Sequence, residues 1–496
     1  MTAKTPMFPG WNAIAGRASK SALTRAMEQR EQLAGRGLAG MAALLEGWLD
    51  PALLSPSAAG TGSRSRIFDT ATTFHAFLWQ LLDGQAACRE AVQQIQFARR
   101  TARCQSTRAT APVSSTSAYC QARARLDIPL ASRAAAAIAR RMQSRALPED
   151  RWLGREVKLI DATGVSMDDF ADSRDVFGTP TGQKPGCGFP VMKLCALFSL
   201  TTGAWLAHEY GRTYDHDLST AVPLLQNHLH DGDVLIGDRA YSAWWVMALA
   251  VMQGADCVLR LHQSRRADFR RGRPLGKGDR LLSWPKPLRP PNCPLTPEQY
   301  DALPAALEVR MMRSTGSVPG ERVKEMVLVT TLRDATRYPA AALAEIFRRR
   351  WQIELNFDDI KTSLGMNHLA CQSADMALRM VSMYQCAYNL IRGLMQQSAH
   401  ASGQSHYRLS FKGTANLLSS TQKWLSGGRR RRRGHLRALL ETLIAGDPVP
   451  LRPGRHEPRA IKRRHSQYPM LTAPRKIMTV IPHQKQYRKS KSPALS

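Results

Sequence analysis

Apolar positions fall along the chain in two different rhythms, and each predicts a different kind of structure. Between residues 70 and 146 they recur at helical spacing in FHAFLWQLL, CREAVQQIQFARR and STSAYCQARARL, which predicts a run of helices. In the last of these, Ser117 is placed to cap a helix on which Tyr119, Ala122 and Leu126 face inward while Gln121 and Arg125 face out. That pattern suits the recognition helix of a helix-turn-helix-like bundle, and it suits any small helical bundle as well. From about residue 155 the rhythm changes to short apolar runs of strand length.

REVKLIDATG predicts a buried strand ending at Asp161, and VMKLCALFSL with AWLAHEYGR predicts a hairpin turning at Thr201, Thr202 and Gly203. HDLSTAVPLLQNHL follows as a helix, DVLIGDRAY as a strand, SAWWVMALAVMQ as a helix and DCVLRLHQS as a further strand. A Pro-, Gly- and Arg-rich stretch then interrupts the order before EVRMMRST and EMVLVTTLRD, beginning at Glu308 and Glu325, resume the strand pattern. The expected fold class is therefore α/β, a mixed sheet with helices packed on it and a β-rich insertion over about 262–335.

Length and charge narrow the partners. The 496 residues suffice for two to four domains, and 70 Lys plus Arg against 39 Asp plus Glu give a formal charge of +31, which calls for a polyanion, first of all nucleic acid. No apolar stretch is long enough to span a membrane, so no membrane partner is expected. The start, MTAKTPMFPGWNAIAGR, lacks the apolar core of a signal peptide, and the chain is expected to stay where it is made. Nine scattered cysteines without a C-x-x-C pair point away from structural zinc and from a disulfide framework, and Cys195 and Cys257 read as core residues. Residues 423–496 hold 19 Lys plus Arg against 3 acidic residues, densest at Arg429 to Arg433, and read as a solvated arm that binds phosphates.

Candidate chemistry lies in the carboxylates. Asp161 and Asp238 each follow an apolar strand; a lone Asp there is usually a turn or cap, but two on neighbouring strands mark where an open α/β sheet places its site. A third acid comes from FRRRWQIELNFDDIK at 347–361. At about 100° per residue, Phe347, Arg350, Glu354 and Lys361 share a stripe about 60° wide, beside a core-facing stripe of Ile346, Ile353, Phe357, Ile360 and Leu364. Arg348 and Arg349 point to solvent, Trp351 reads as core packing, and Asp358 competes with Glu354 as the third carboxylate. Three carboxylates together repel one another unless cations lie between them, and oxygen-only ligation favours Mg²⁺ or Mn²⁺. Two such ions at a phosphodiester would give phosphoryl transfer on DNA or RNA.

These motifs resemble those of the IS4 family of insertion-sequence transposases, DDE enzymes with a ribonuclease H-like core. The family signature of Tyr, two residues, Arg, three residues, Glu, six residues and Lys places Arg350, Glu354 and Lys361, with Phe347 in the Tyr position, and so selects Glu354 over Asp358. IDATGVSM and IGDRAY match the first and second Asp motifs, and the resemblance covers roughly residues 70 to 476. It implies Asp161, Asp238 and Glu354 as catalytic ligands of two Mg²⁺ ions, with Mn²⁺ able to substitute, and Arg350 and Lys361 at phosphates of the transposon end; Phe347 takes the place of the DNA-binding Tyr, and Arg239, which follows the second carboxylate, reads as a phosphate contact or as a plain surface Arg.

The implied activity is cut-and-paste transposition by a homodimer bound to double-stranded DNA, joining terminal inverted repeats to target DNA at the bacterial nucleoid in the cytoplasm. The alternatives are a DNA-binding repressor relic and a ribonuclease H-like nuclease without strand transfer. The implied organisation is an N-terminal segment at 1–69, a helical DNA-binding region at 70–150, the catalytic core at 151–422 and a basic arm at 423–496. Phe347 lacks the Tyr hydroxyl, a loss of about 1.5 to 3 kcal/mol where it would meet a phosphate. MDDF at Met167 to Phe170 departs from a Pro-Asp-Thr turn common in relatives, Trp284 is a candidate to stack on a flipped base, and His228 and His230 form no metal pair.

Overall fold

The computed structural model describes residues 37–54, 67–84, 86–102, 115–180, 188–315, 325–426 and 430–450, with a few positions between 24 and 34. The alternating stretches form a single mixed sheet from strands β1 (Val157–Met167), β2 (Val191–Ser199), β3 (Trp205–Gly211), β4 (Val234–Gly237) and β5 (Asp256–Arg260). It continues through β6 (Arg273–Gly276), β7 (Asp279–Pro285), β8 (Ala306–Thr315) and β9 (Glu325–Thr330), in the order β3-β2-β1-β4-β5-β9-β8-β7-β6. β1, β2 and β3 are antiparallel, whereas β1, β4 and β5 run parallel, the ribonuclease H-like arrangement. The insertion does not form a second layer: β9 pairs antiparallel with β5 and carries the same sheet onward. A short β10 (His368–Leu369) pairs with the far end of β1.

Helices α1 (Ala39–Leu45), α2 (Thr70–Leu82), α3 (Cys88–Ala102), α4 (Ser117–Arg125) and α5 (Ile128–Ser144) precede the sheet. Within it lie α6 (Ala171–Phe177), α7 (Asp217–His228), α8 (Trp244–Met252) and α9 (Pro297–Asp301). After β9 come α10 (Ala340–Arg348), α11 (Gln352–Asp358), α12 (Ala374–Ser402), α13 (Phe411–Thr421) and α14 (Arg430–Ala445).

Strand alternation divides the apolar residues between two faces. Leu159, Ala196, Val234, Ile236 and Val258 join one core, with α2, α5 and α10 to α14. Their neighbours Ile160, Cys195, Leu197, Leu235 and Cys257 join the other, under α7 and α8. In the first core the N-terminal helices are continuous with the rest: Ala131, Ala134 and Ala135 of α5 are fully buried, and Asn389 of α12 donates to the Ala135 carbonyl. Small side chains there let two helix backbones approach.

Two expectations change. Thr116, not Ser117, is the residue before α4, and it makes no side-chain cap; the Ser117 amide donates to the Ser115 hydroxyl instead. Tyr119, Ala122 and Leu126 are buried as expected, with Gln121 and Arg125 exposed. Arg430 to Arg433 open a helix, α14, rather than a loose arm, because Leu440 and Ile444 further along it enter the core. Arg429 and the later RHEPRAIKRR stretch lie outside the described residues.

Candidate active site

The site forms where β1 and β4 part. Their parallel pairing ends at Ile160 opposite Gly237, so Asp161 and Asp238 are the next residue on each of two adjacent strands. Asp161 is not the end of its strand: β1 runs on to Met167, held by β2 and then β10. Asp161 and Thr163 share the parity of Leu159 and so stand on the face covered by α11. Asp238 leaves β4 and caps the following turn, its Oδ1 accepting from the Ala240 amide at 2.7 Å. Gly237 makes that exit possible, since a Cβ there would lie 2.9 Å from the Cβ of Tyr241.

Burial first, and then the neighbouring Asp238, push the Asp161 carboxyl up to about 6, against the pull of the Ala162 amide and Arg350. The next registered strand adds a cation: Gly237 pairs with Leu259, which sets Arg260 beside Asp238. Burial lowers the pKa of Arg260, and repulsion from Arg239 and Arg350 lowers it further. Three guanidinium groups are thus crowded beside two carboxylates.

The third acid sits on a broken helix. α10 is followed by a tight turn at Arg349–Trp351, then α11, then a turn of π-helix at Asp359–Ser363. Ile346, Ile353, Phe357, Ile360 and Leu364 are all buried, so the core-facing stripe is as expected. Arg350 and Glu354 form an ion pair at 3.2 Å, and Lys361 Nζ donates to Thr163 Oγ1 at 2.6 Å, pinning the helix to β1. Burial lowers the Lys361 pKa. Asp358 is exposed and accepts from Thr362 on its own helix.

Two residues depart from their expected places. Phe347 is in the core at 7% exposure, so its missing hydroxyl leaves no gap on an exposed surface. Trp351 is 46% exposed rather than core: on the same count of about 100° per residue it lies on the side opposite the apolar stripe. In the insertion, Arg265 lies over the Trp284 ring at 4.3 Å. His228 and His230 serve Lys158, which donates to the His228 carbonyl at 2.7 Å and contacts His230 Nδ1 at 3.1 Å.

Among the described residues no three Asp, Glu, His or Cys side chains converge closely enough to hold an ion, and Glu354 is turned toward Arg350. The donor set still suits a hard divalent cation: Asp161 and Asp238 offer oxygens only, and the raised Asp161 pKa is what a cation would relieve. Thr163 and Arg260 are members of the site that sequence reasoning missed. Arg260 was readable as the cation ending DCVLR, one strand over from Asp238.

Comparison with known proteins adds the kinship. The family described as Transposase DDE domain matches residues 152–390. The transposase InsG for insertion sequence element IS4 of Escherichia coli is 24% identical over 372 residues, covering 74% of this chain and 81% of that protein. A cryo-EM structure of a piggyBac transposase synaptic complex with hairpin DNA aligns over 87% of this chain and 86% of that one, at 12% identity and a TM-score of 0.39. No helix among the described residues is long and apolar enough to cross a membrane.

Proposed function

We propose that the chain is an IS4-family DDE transposase, which the match to the Transposase DDE domain and the likeness to the IS4 transposase support, and that it cuts the ends of an insertion sequence and joins them to target DNA. The observation that carries the reading is the placement of Asp161 and Asp238 where the parallel pairing of β1 and β4 ends, beneath the helix that bears Glu354. Asp161, Asp238 and Glu354 would hold two Mg²⁺ ions. When bound, such ions supply Lewis acidity for the attacking and leaving oxygens of a phosphodiester.

The protein's own groups do the rest. Arg239, Arg260, Arg350 and Lys361 bind the phosphates on either side of the scissile bond, and the crowding of the three arginines is relieved when a polyanion enters. Arg350 keeps Glu354 paired until the ligands assemble. Gln121 and Arg125, on the outward face of α4, contact the terminal repeat, and two copies of the chain hold two ends.

The test is Mg²⁺-dependent nicking and joining of a DNA duplex carrying the element's terminal repeat. Asp161→Asn, Asp238→Asn and Glu354→Gln each abolish nicking and leave DNA binding intact; undiminished nicking in any of them removes that residue from the site. Nicking without joined product would indicate a nuclease, and salt-sensitive binding without nicking a repressor.

A further inference from the structure

Arg392 lies in the middle of α12 with its side chain 3% exposed. Its Nη2 donates to Asp359 Oδ2 at 2.6 Å and to Asn356 Oδ1 at 3.2 Å, and its Nε donates to the Tyr388 hydroxyl at 3.1 Å. Tyr388 in turn donates to the carbonyl of Gly203, in the turn between β2 and β3, at 3.1 Å. Asn356 is fully buried and accepts a second bond from Gln352 at 3.2 Å. The rings of Tyr388, Tyr407 and Phe411 surround the guanidinium at 5.5, 5.8 and 5.1 Å.

Stability gives no reason for so deep a charge, since packed apolar residues in place of a buried ion pair are often neutral or better. Its placement does. Asn356 follows Glu354 by two residues, Asp359 precedes Lys361 by two, and Asp359 opens the π-helical turn that sets the rotation between them. Nη2 reaches both acceptors on that helix while Nε, in the same rigid plane, is held by Tyr388 of α12, so one planar group ties the helix's rotation and height to α12, which a lysine's point charge would not.

We propose that Arg392 is a positioning residue: by gripping Asn356 and Asp359 at once it holds the π-helical turn, and with it the relative aim of Glu354 and Lys361 at β1. The inference rests on the reading of Glu354 as a metal ligand. It goes beyond that reading by assigning the aim of Glu354 to a residue on another helix.

The experiment uses the full chain with Arg392→Lys, and with Arg392→Met combined with Asp359→Leu, which removes both buried charges. Three quantities are measured: the melting temperature, Mn²⁺ affinity by calorimetry without DNA, and the Mg²⁺ concentration for half-maximal nicking. The paired variant is expected to melt near the wild type, while its Mn²⁺ affinity falls roughly tenfold to a hundredfold and its Mg²⁺ midpoint rises by the same factor. Arg392→Lys, which keeps the charge and loses the fork, is expected to fall between. A folded paired variant, or a folded Arg392→Lys, with wild-type Mn²⁺ affinity would overturn the proposal. A wild-type protein that binds Mn²⁺ but never nicks DNA would sink the transposase reading, while the calorimetry still decides for or against the clamp.

Discussion

The two ends of the β1–β4 pair carry charge in opposite ways. At the base, Lys158 and Asp233 are 3% and 7% exposed and meet at 2.6 Å, with the His228 carbonyl completing the lysine's bonds. Arg155 meets Asp256 at 2.7 Å nearby, and Glu156 accepts from Ser199 at 2.5 Å. At the top, Asp161 and Asp238 face each other's charge, and each accepts a bond from a backbone amide close by in sequence. The base cancels its charge within the fold. The top leaves carboxylate oxygens with capacity to spare, which costs stability and provides ligands.

The largest expected effect tests the base. Lys158→Met leaves the Asp233 carboxylate buried without its cation and should cost about 3 to 5 kcal/mol by chemical denaturation. Adding Asp233→Leu should return most of that loss, whereas an undiminished loss in the double variant would mean that the pair does more than cancel charge.

Next in size is the opposite sign at the top. The folded pKa of Asp161, about 6, lies above its ordinary value of 3.8, so the native state binds that proton more tightly than the unfolded chain does. The resulting penalty is absent below the unfolded value, grows as pH rises between the two, and is complete above about 6. Metal-free Asp161→Asn should therefore be more stable than the wild type at pH 7, by roughly 2 to 3 kcal/mol, and should show no gain at pH 3. Equal stability at both pH values would place Asp161 with the cancelled charges of the base. By the same proton, metal-dependent nicking should weaken as pH falls through about 6.

A smaller effect is expected at Gly237. Alanine there meets Tyr241 at 2.9 Å and should cost about 1 to 3 kcal/mol, with a larger proportional loss in nicking because it shifts the exit of Asp238 from β4. The smallest concerns Arg260: Gln in its place should leave the unfolding free energy within about 0.5 kcal/mol of wild type. It should also reduce the slope of log affinity against log salt by about 1, as one lost phosphate contact would.

What the sequence revealed follows from what each signal averages over. Strand alternation is a local rule, and it placed β1, β4 and β5 and the two acids on their parting ends. It misjudged the end of β1, because ATGVSM carries little apolar pattern and is held in the strand by β2 and β10. Helical arithmetic found the apolar stripe through Leu364, but it assumed one uniform rotation. The tight turn at Arg349–Trp351 and the π-helical turn at Asp359–Ser363 break that assumption, and Phe347, on α10 before the tight turn, is buried with Leu343 and Ile346 of its own helix; Trp351 is outside, where the arithmetic itself puts it. Arg392 was invisible for another reason: its partners lie 33 and 36 residues away along the chain.

The most direct test of the account replaces a ligand oxygen with sulfur. Asp161→Cys and Asp238→Cys should not nick a terminal-repeat duplex in Mg²⁺, and should regain nicking in Mn²⁺, whose softer character tolerates a thiolate ligand. Wild-type rates for either variant in Mg²⁺ would contradict the claim that these two carboxylates hold the metal at which the DNA is cut.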